Sequence, residues 1–484
     1  MEFSFPDIDF SLLMPSFVVA GTAFLTMLLV PFLRRRHHDL VAHLSWIGLV
    51  VAMYLTGRLI GSDSATFGTM FLADSFSHFF NGIFLMASIL TVFMSMDYLK
   101  KKEIDYGEFY PLVLFATFGM MVMASSANLV IIFLGLEIMS MALYVLAGLA
   151  RRQLRSTEAA IKYFLLGAFA SGFTVFGIAF VYGATGSFDM LVIAGMLSGS
   201  ISPYLLIGGA LIIVGLGFKV AAVPFHMWAP DVYEGAPSPV TGFMSVGPKA
   251  AAFAALLRIF SFGFAGLHGD LETLFWILAV ATMTIGNIMA LRQGNIKRML
   301  AFSSIAHAGY IMIALVVGGS ETASAAALYL LCYAVTNLGA FMIITLVDSS
   351  SGTKDRTSLD SYAGLARLNP IVGVVLTLFL ISLAGFPPTA GFIAKFVLFK
   401  AALAQGFYII VVIAVLNSLV SVYYYLRVVV KMFMHEPAEQ AKALPLPAPL
   451  LMTALIFAVI ALFALGIYPQ GWFPFDGLTL YALN

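Results

Sequence analysis

The sequence has little charge and almost no cysteine. Asp, Glu, Lys and Arg together make up 10% of its 484 residues, whereas hydrophobic residues make up 61%. An ordinary soluble domain is about one quarter charged, so this composition excludes a water-soluble globular protein. The single cysteine, Cys332, excludes an internal disulfide, and one thiolate cannot hold an iron–sulfur cluster that needs four ligands. Any redox chemistry therefore belongs to another chain.

The sequence also lacks the motifs of common catalytic domains. It contains no phosphate-binding G-x-x-x-x-G-K-[ST], no dinucleotide-binding G-x-G-x-x-G after a strand, no H-E-x-x-H and no C-x-x-C. Its 25 Lys and Arg residues nearly balance 24 Asp and Glu residues, so the net charge does not indicate a nucleic-acid partner.

Long apolar runs fill most of the chain. A membrane-spanning helix needs about 20 apolar residues, and on this criterion the sequence predicts an all-α integral membrane protein with fourteen transmembrane segments. They lie near residues 11–33, 40–60, 74–98, 108–125, 128–149, 156–182, 204–228, 238–262, 271–291, 298–318, 322–347, 370–404, 407–433 and 447–468. The connections are too short for a soluble catalytic domain, so the chemistry is expected inside the bilayer.

Basic residues indicate the orientation, because cytoplasmic loops collect Lys and Arg. Only Arg58, Arg258 and Lys400 lie towards the even-numbered loops. Eighteen of the 25 basic residues lie in odd-numbered loops: Arg34, Arg35, Arg36, Lys100, Lys101, Lys102, Arg151, Arg152, Arg155, Arg292, Lys297, Arg298, Lys354, Arg356, Arg367, Arg427, Lys431 and Lys442. We call this the basic face. Both termini are therefore expected on the outer side of the membrane.

Ionisable residues lie inside several predicted spans, where each costs roughly 2.5–3.5 kcal/mol on insertion scales. They are Glu137, Lys162, Lys219, Lys249, His307 and Lys395. Such groups normally face a protein interior or a hydrated path.

Purely structural explanations remain open for these residues. Lys162 could extend to the cytoplasmic interface, and His307 could be a buried histidine satisfied by neighbouring serines. The other groups could form a buried ion pair that only joins helices. However, three central lysines face one central glutamate, and that excess of base is costly as a structural device. It suits groups that exchange protons and titrate as a coupled set.

Glycine and proline interrupt two of the predicted spans, the seventh and the twelfth. Paired interruptions in corresponding halves indicate a site built from broken helices in an inverted repeat. Unwound backbone at that depth must be buried in protein or line a cavity. A simple proline kink stays open as the alternative for the twelfth segment. The expected break residues are Gly215, Gly217 and Pro224 in the seventh segment, and Gly385, Pro387, Pro388 and Gly391 in the twelfth.

Four sequence strings carry a family resemblance: FLGLEIMS, GLGFKVAAVPFHMWAPDVYEGAPSPVTGFM, MLAFSSIAHAGY and LAGFPPTAGFIAKF. They resemble the antiporter-like membrane subunits of respiratory complex I, the proton-pumping NADH:quinone oxidoreductase, and the resemblance covers nearly the whole chain. The PDVYEGAP turn and the lysine in the broken twelfth segment are most similar to the subunit N branch of that family.

The resemblance implies a fold and roles for the ionisable residues. The implied units are helices 1–3 (1–107), two inverted five-helix repeats (108–262 and 271–433) and a last helix (434–484). Glu137 would pair with Lys219, and Lys249 would connect through His307 to Lys395, forming a polar axis along the membrane midplane. Lys162 matches a further family lysine less closely.

The resemblance also implies partners. NADH, FMN, iron–sulfur clusters and quinone would be bound by partner subunits and none by this chain, which would contact other membrane subunits, the peripheral redox arm and lipid. Quinone reduction would drive proton movement along the axis. Three alternatives stay open: a multi-subunit cation/proton antiporter, a membrane-bound hydrogenase or ferredoxin-driven complex, and a purely structural scaffold.

Overall fold

The structure is a computed structural model that describes residues 8–68, 70–197, 202–353, 355–437 and 443–469, apart from the side chain of Arg36. The predicted loop residues Lys354 and Lys442 lie outside the described residues, as do both chain ends.

The described residues form nineteen α-helices and one small antiparallel hairpin of β1 (Ser64–Thr66) and β2 (Phe71–Ala73). The helices are α1 Phe10–Leu29, α2 His38–Arg58, α3 Ser75–Lys101, α4 Phe109–Ala124, α5 Leu129–Ala147, α6 Leu154–Thr185, α7 Met190–Met196, α8 Pro203–Val220, α9 Trp228–Gly235, α10 Ser238–Arg258, α11 His268–Ala290, α12 Ile296–Ile311, α13 Ile313–Val317, α14 Ser320–Ser349, α15 Leu365–Leu368, α16 Pro370–Ala384, α17 Ala390–Ala404, α18 Tyr408–Met434 and α19 Pro449–Ile467.

The helices are those of a multi-pass membrane protein. Among the described residues, twelve helical stretches are long and apolar enough to cross a membrane, and α4 and α16 are shorter apolar helices. The predicted all-α membrane class is therefore confirmed. The count of fourteen spans remains a prediction, although each predicted segment overlaps a helix and the twelfth corresponds to α16 and α17 together.

The centre of the bundle consists of α10, α12 and α14. Every residue of α10 is buried, as is nearly all of α12 and α14. Large exposed apolar side chains instead cover outer helices such as α1, α6 and α18. Polar side chains on the three central helices are therefore shielded from lipid.

Two helices end inside predicted spans. Helix α8 ends at Val220, where Ala221 adopts the left-handed conformation (φ 59°). The freed carbonyl of Phe218 accepts a hydrogen bond from Trp228 Nε1 at 2.9 Å, and the N–H of Val223 donates to Thr282 Oγ1 at 2.9 Å. These contacts satisfy the unwound backbone, as a low-polarity environment requires.

The second interruption separates α16 from α17. Helix α16 ends at Ala384, followed by Gly385 at φ +93°, a conformation that favours glycine. Gly391 lies in the first turn of α17, where an added Cβ would stand 1.8 Å from the carbonyl oxygen of Ser382. Only glycine therefore lets the two half-helices approach this closely.

Three basic residues that were counted for the orientation are buried and bonded inside the protein. Lys102 forms an ion pair with Asp348 at 2.8 Å, and Lys297 donates to the carbonyl oxygen of Ala236 at 2.6 Å. Arg258 is fully buried and makes a bidentate ion pair with Asp74 at 2.8 and 2.9 Å. The partners come from distant parts of the chain, so local sequence gave no sign of them.

Candidate functional site: a buried row of ionisable side chains

Lys219 lies in the last turn of α8, beside the first helix break, and is 3% exposed. Its Nζ donates to the hydroxyl of Tyr144 at 3.2 Å and lies 5.1 Å from the Tyr144 ring centroid and 5.5 Å from that of Tyr163. Tyr163 in turn stacks on Trp228 at 4.5 Å. A cage of aromatic rings therefore holds this lysine.

Glu137 lies on α5 and is only partly buried. Its Oε1 accepts a hydrogen bond from Ser171 Oγ at 2.5 Å. No ion pair joins Glu137 to Lys219 among the described residues. The implied pair is therefore open in this structure, and Tyr144, seven residues after Glu137 on the same helix, takes the position next to the amine.

Lys249 lies in the middle of α10 and is 3% exposed. Its Nζ donates to the hydroxyl of Ser304 at 2.6 Å and to the carbonyl oxygen of Ser304 at 3.1 Å. The ring of Tyr233 on α9 lies 5.9 Å from the same nitrogen. All its hydrogen-bond acceptors are neutral oxygens.

His307 is buried on α12 among tyrosines. Its Nδ1 is 2.7 Å from the hydroxyl of Tyr329, and its Nε2 is 3.3 Å from that of Tyr425. Tyr425 also hydrogen-bonds Ser303, which precedes the Ser304 that binds Lys249. The histidine is thus bonded by tyrosines and not by the neighbouring serines of the structural alternative.

Lys395 lies on α17 and reaches back to the second helix break. Its Nζ donates to the carbonyl oxygen of Ala384 at 2.8 Å, to that of Leu383 at 3.3 Å and to Ser418 Oγ at 2.7 Å. These two carbonyls are free of helix hydrogen bonds because α16 ends at Ala384. The break therefore supplies the acceptors for this buried amine.

Two cavities lie near the second helix break, and one of them reaches Lys395. A void of about 10 Å³, room for about one water molecule, is lined by His307, Tyr329, Ser382 and Leu383 among others. It places a water-sized space between the histidine and the Leu383 carbonyl that accepts from Lys395. A second cavity of about 480 Å³ reaches Lys395 and Lys400 from the side of α17 and α18 and is mostly apolar.

We call the buried residues Lys219, Lys249, His307 and Lys395 the buried row. Lys162 lies apart from it. Its side chain is 40% exposed, and its Nζ pairs with Glu158 at 2.6 Å and Asp231 at 2.7 Å. Asp231 also pairs with Arg298 at 2.6 Å. Burial raises the pKa of Asp231, but hydrogen bonds from Lys162 and Arg298 outweigh it, and the net pKa is lowered. The position of Lys162 fits the alternative in which this lysine extends to the interface.

The three lysines of the buried row share one chemical property. Lys219, Lys249 and Lys395 are buried, and none forms an ion pair among the described residues; each donates to neutral oxygens. A buried ammonium without a counter-ion is costly, so each amine can release its proton and take one up again. Such groups can pass protons but provide no redox chemistry.

The sequence did not indicate the groups that contact the row. Tyr144, Tyr329 and Tyr425 are ordinary apolar-segment tyrosines in sequence, and Ser304 is one of many helix serines. Only the helix packing brings them to the ionisable residues. Spacing alone could have suggested Tyr144, because it lies two turns after Glu137 on the same helix face.

Residues 126–421 match the protein family described as NADH:quinone oxidoreductase/Mrp antiporter, TM. The chain belongs to this family. It is 45% identical over 469 residues to the NADH-quinone oxidoreductase subunit N of Trichlorobacter lovleyi, covering 96% of each chain. It is 44% identical over 462 residues to subunit N 1 of Solibacter usitatus, covering 95% of this chain and 94% of the relative. The resemblance seen in the motifs is confirmed.

Chains of solved membrane complexes have the same fold. A chain of respiratory complex I from Thermus thermophilus superposes with a TM-score of 0.81 at 34% identity, covering 97% of this chain and 100% of that one. A chain of the archaeal membrane-bound sulfane sulfur reductase gives 0.84 at 25% identity, covering 97% and 96%. A chain of the Mrp complex from Dietzia gives 0.84 at 22% identity over 96% and 97%, a likeness of fold alone.

Proposed function

We propose that this chain is a proton-translocating membrane subunit of NADH:quinone oxidoreductase, respiratory complex I. The observation that carries the proposal is the row of buried amines that donate only to neutral oxygens, in a chain 45% identical to a relative named subunit N. The row provides the proton carriers, and the relatives supply the context in which quinone reduction drives them.

The proton path runs along the row. Closure or separation of Glu137 and Lys219 changes the charge at one end, and protonation passes through Lys249 and His307 to Lys395. The Ser303–Tyr425–His307 contacts and the water-sized void beside Leu383 connect these groups. One proton then leaves on the outer face.

The driving force must come from partner subunits. Moving one charge against the membrane potential costs about 2.3 kcal/mol per 100 mV, and this chain has no redox group of its own in the proposal. NADH, FMN, iron–sulfur clusters and quinone are assigned to the partners, which include other antiporter-like membrane subunits, small membrane subunits and the peripheral redox arm.

We also propose the inverted repeats 108–262 and 271–433. The two helix breaks support them, as do two matching helix starts. Asn128 caps α5 by accepting from Val130 and Ile131, and Asn295 caps α12 by accepting from Lys297 and Arg298. The relatives named subunit N support a bacterial plasma-membrane location, and the charge count over the loops supports both termini outside.

The rival function is cation/proton antiport, because the description of the matching family names both NADH:quinone oxidoreductase and Mrp antiporter. Sodium sites use clustered carboxylate and carbonyl oxygens. Glu137 is the one carboxylate among the six predicted site residues, and it binds Ser171. This feature favours proton transfer.

A gentle-detergent purification of the tagged chain from its native membrane tests whether the chain belongs to NADH:quinone oxidoreductase. Recovery of iron–sulfur absorbance together with NADH:quinone activity supports the proposal. Iron–sulfur absorbance without NADH activity would point to the hydrogenase or ferredoxin-driven relatives. Recovery of neither, under conditions that preserve large complexes, together with sodium-dependent flux in vesicles, would favour the antiporter.

A further inference from the structure

A second set of polar side chains lies where α10 faces α14. On α10, Ser238, Thr241, Ser245 and Lys249 recur at intervals of three or four residues and so share one helix face. On α14, Asn337, Thr345 and Asp348 share a face in the same way. All seven are at most 3% exposed. We call these seven residues the polar stripe.

Two hydrogen bonds join the halves of the polar stripe. Ser238 Oγ donates to Asp348 Oδ2 at 2.7 Å, and Asn337 Nδ2 donates to Ser245 Oγ at 2.6 Å. The two contacts show that the helices are antiparallel neighbours, because the later residue on α10 contacts the earlier residue on α14. Thr345 lies between these contacts, on the α14 side.

Two oxygens in the polar stripe are buried without a hydrogen-bond partner among the described residues. They are Thr345 Oγ1 and Asn337 Oδ1. A hydroxyl on a buried helix usually bonds its own backbone, as Thr336 Oγ1 does with the carbonyl of Cys332 at 2.8 Å. Buried polar atoms are normally satisfied by protein or ordered water. The unpaired oxygens therefore indicate that water enters this helix contact.

The polar stripe begins at the basic face. There Asp348 binds Lys102 at 2.8 Å and Tyr98 at 2.9 Å. A buried cavity of about 20 Å³, room for about one water molecule, is lined by Asp348, Lys102 and Lys297. It shares Arg155, Glu234 and Gly235 with a surface cavity of about 180 Å³. The two cavities are therefore neighbours.

The polar stripe ends at Lys249, eleven residues beyond Ser238 on α10. A rise of about 1.5 Å per residue makes this distance about 16 Å. The stripe therefore spans from the basic face to the middle of the buried row.

We infer that the polar stripe is the proton-uptake route to Lys249, with Asp348 as the residue that accepts the proton at its mouth. A proton from the solution at the basic face is relayed through water in the cavity to the Asp348 carboxylate, and the relaying water ends neutral. The proton then passes through the Ser and Thr hydroxyls and intervening water to the neutral Lys249 amine. Lys249 becomes an ammonium and Asp348 returns to a carboxylate. The inference rests on the proposed function for the direction of transport.

The first test uses Ser245→Ala and Thr345→Val in the assembled complex in membrane vesicles. Each removes one hydroxyl with little change in volume. We expect proton translocation to slow about tenfold, the effect of one lost hydrogen bond in a transfer step. The matched control is Thr91→Val on α3, a buried threonine that bonds only its own backbone at 2.7 Å. Unchanged translocation in both stripe variants, or equal slowing in the control, would overturn the inference.

The second test separates a hydrated route from dry packing. Thr345→Cys should react with a small, water-soluble thiol reagent applied to the basic face, whereas Thr91→Cys should not. The native Cys332 is buried, so the unsubstituted chain serves as background. An unreactive Thr345→Cys in an assembled complex would contradict the inference.

A third comparison distinguishes the inference from the function beneath it. If Lys249→Ala stops translocation while Asp348→Asn, Ser245→Ala and Thr345→Val do not alter it, the polar stripe is not the route and the proposed function stands. If Lys249→Ala also leaves translocation intact, the proposed function itself is wrong.

Discussion

Lys219 donates its hydrogen bond to the hydroxyl of Tyr144 at 3.2 Å, and not to the carboxylate of Glu137. Glu137 is instead held by Ser171. Tyr144 therefore keeps the amine bound while the ion pair is open. Gly167 leaves room for this arrangement, because a Cβ there would lie 2.1 Å from the Tyr144 hydroxyl.

Tyr144→Phe tests this relationship. The variant keeps the ring beside Lys219 but removes the one hydrogen-bond acceptor that the amine has among the described residues. We expect slower proton translocation with normal assembly, measured by acidification of inverted membrane vesicles. Tyr163→Phe is the control, since Tyr163 contacts Lys219 through its ring. Equal effects in the two variants would show that the hydroxyl has no special role.

Tyr425→Phe removes the link between His307 and Ser303. The hydroxyl of Tyr425 hydrogen-bonds both residues, so its loss interrupts the connection from Lys249 to Lys395. We expect reduced proton translocation per electron, measured as vesicle acidification divided by NADH oxidation. Tyr329→Phe leaves this link intact and should have the smaller effect. The opposite ranking would reject the link through Tyr425.

Arg258→Met tests a structural ion pair outside the buried row. The guanidinium binds Asp74 in a bidentate geometry and the carbonyl of Ala124 at 2.9 Å. Leaving Asp74 buried without its partner should destabilise the fold by about 3–5 kcal/mol. Thermal unfolding of the purified complex should show the loss, with translocation per electron unchanged in the protein that remains folded. An unaltered unfolding temperature would contradict this assignment.

Gly391→Ala tests the close approach at the second break. The new Cβ would overlap the Ser382 carbonyl at 1.8 Å, so α16 and α17 would have to separate and the acceptors of Lys395 would move. We expect lower stability and lower translocation together. Gly172→Ala is the matched control, because Gly172 also lies within a helix, α6, but has no atom within 4 Å of its added Cβ. Equal loss of translocation in the two variants would contradict the role of close packing.

The ion cluster around Asp231 should not contribute pH dependence near neutrality. Hydrogen bonds from Lys162 and Arg298 lower the pKa of Asp231 despite its partial burial. A lowered carboxyl pKa gives stability that is present above the unfolded pKa of about 3.8 and lost as pH falls through the folded pKa. Asp231→Asn should therefore lower the unfolding temperature equally at about pH 6 and about pH 8. A clear difference between the two would place the Asp231 pKa near neutrality.

Much of the fold could be predicted from sequence, because a helix that crosses a lipid bilayer must be predominantly apolar. Apolar runs located the helices, and glycine and proline pointed to the regions where α8 and α16 end. The position of the first break was not evident, since Ala221 and not a glycine adopts the left-handed conformation. Gly215 and Gly217 lie inside α8. Gly215 serves helix packing, as its Cβ would lie 1.8 Å from Thr174 Oγ1.

The candidate site was less predictable, because its contacts join residues far apart in sequence. The six ionisable residues stood out against apolar surroundings. Their partners did not, since a serine or tyrosine within a helix gives no signal of its own. Asp348 illustrates the limit: it falls just beyond a predicted span, and only packing pairs it with Lys102, 246 residues away.

The most direct measurement of the central claim is the number of protons moved per electron by assembled complexes that carry Lys219→Ala or Lys395→Ala. NADH oxidation and vesicle acidification are recorded on the same preparation, with Lys400→Ala as a control for a lysine on α17 outside the row. The account predicts a lower ratio for both row variants and an unchanged ratio for the control. Ratios equal to that of the unsubstituted complex would contradict proton transfer through the buried row.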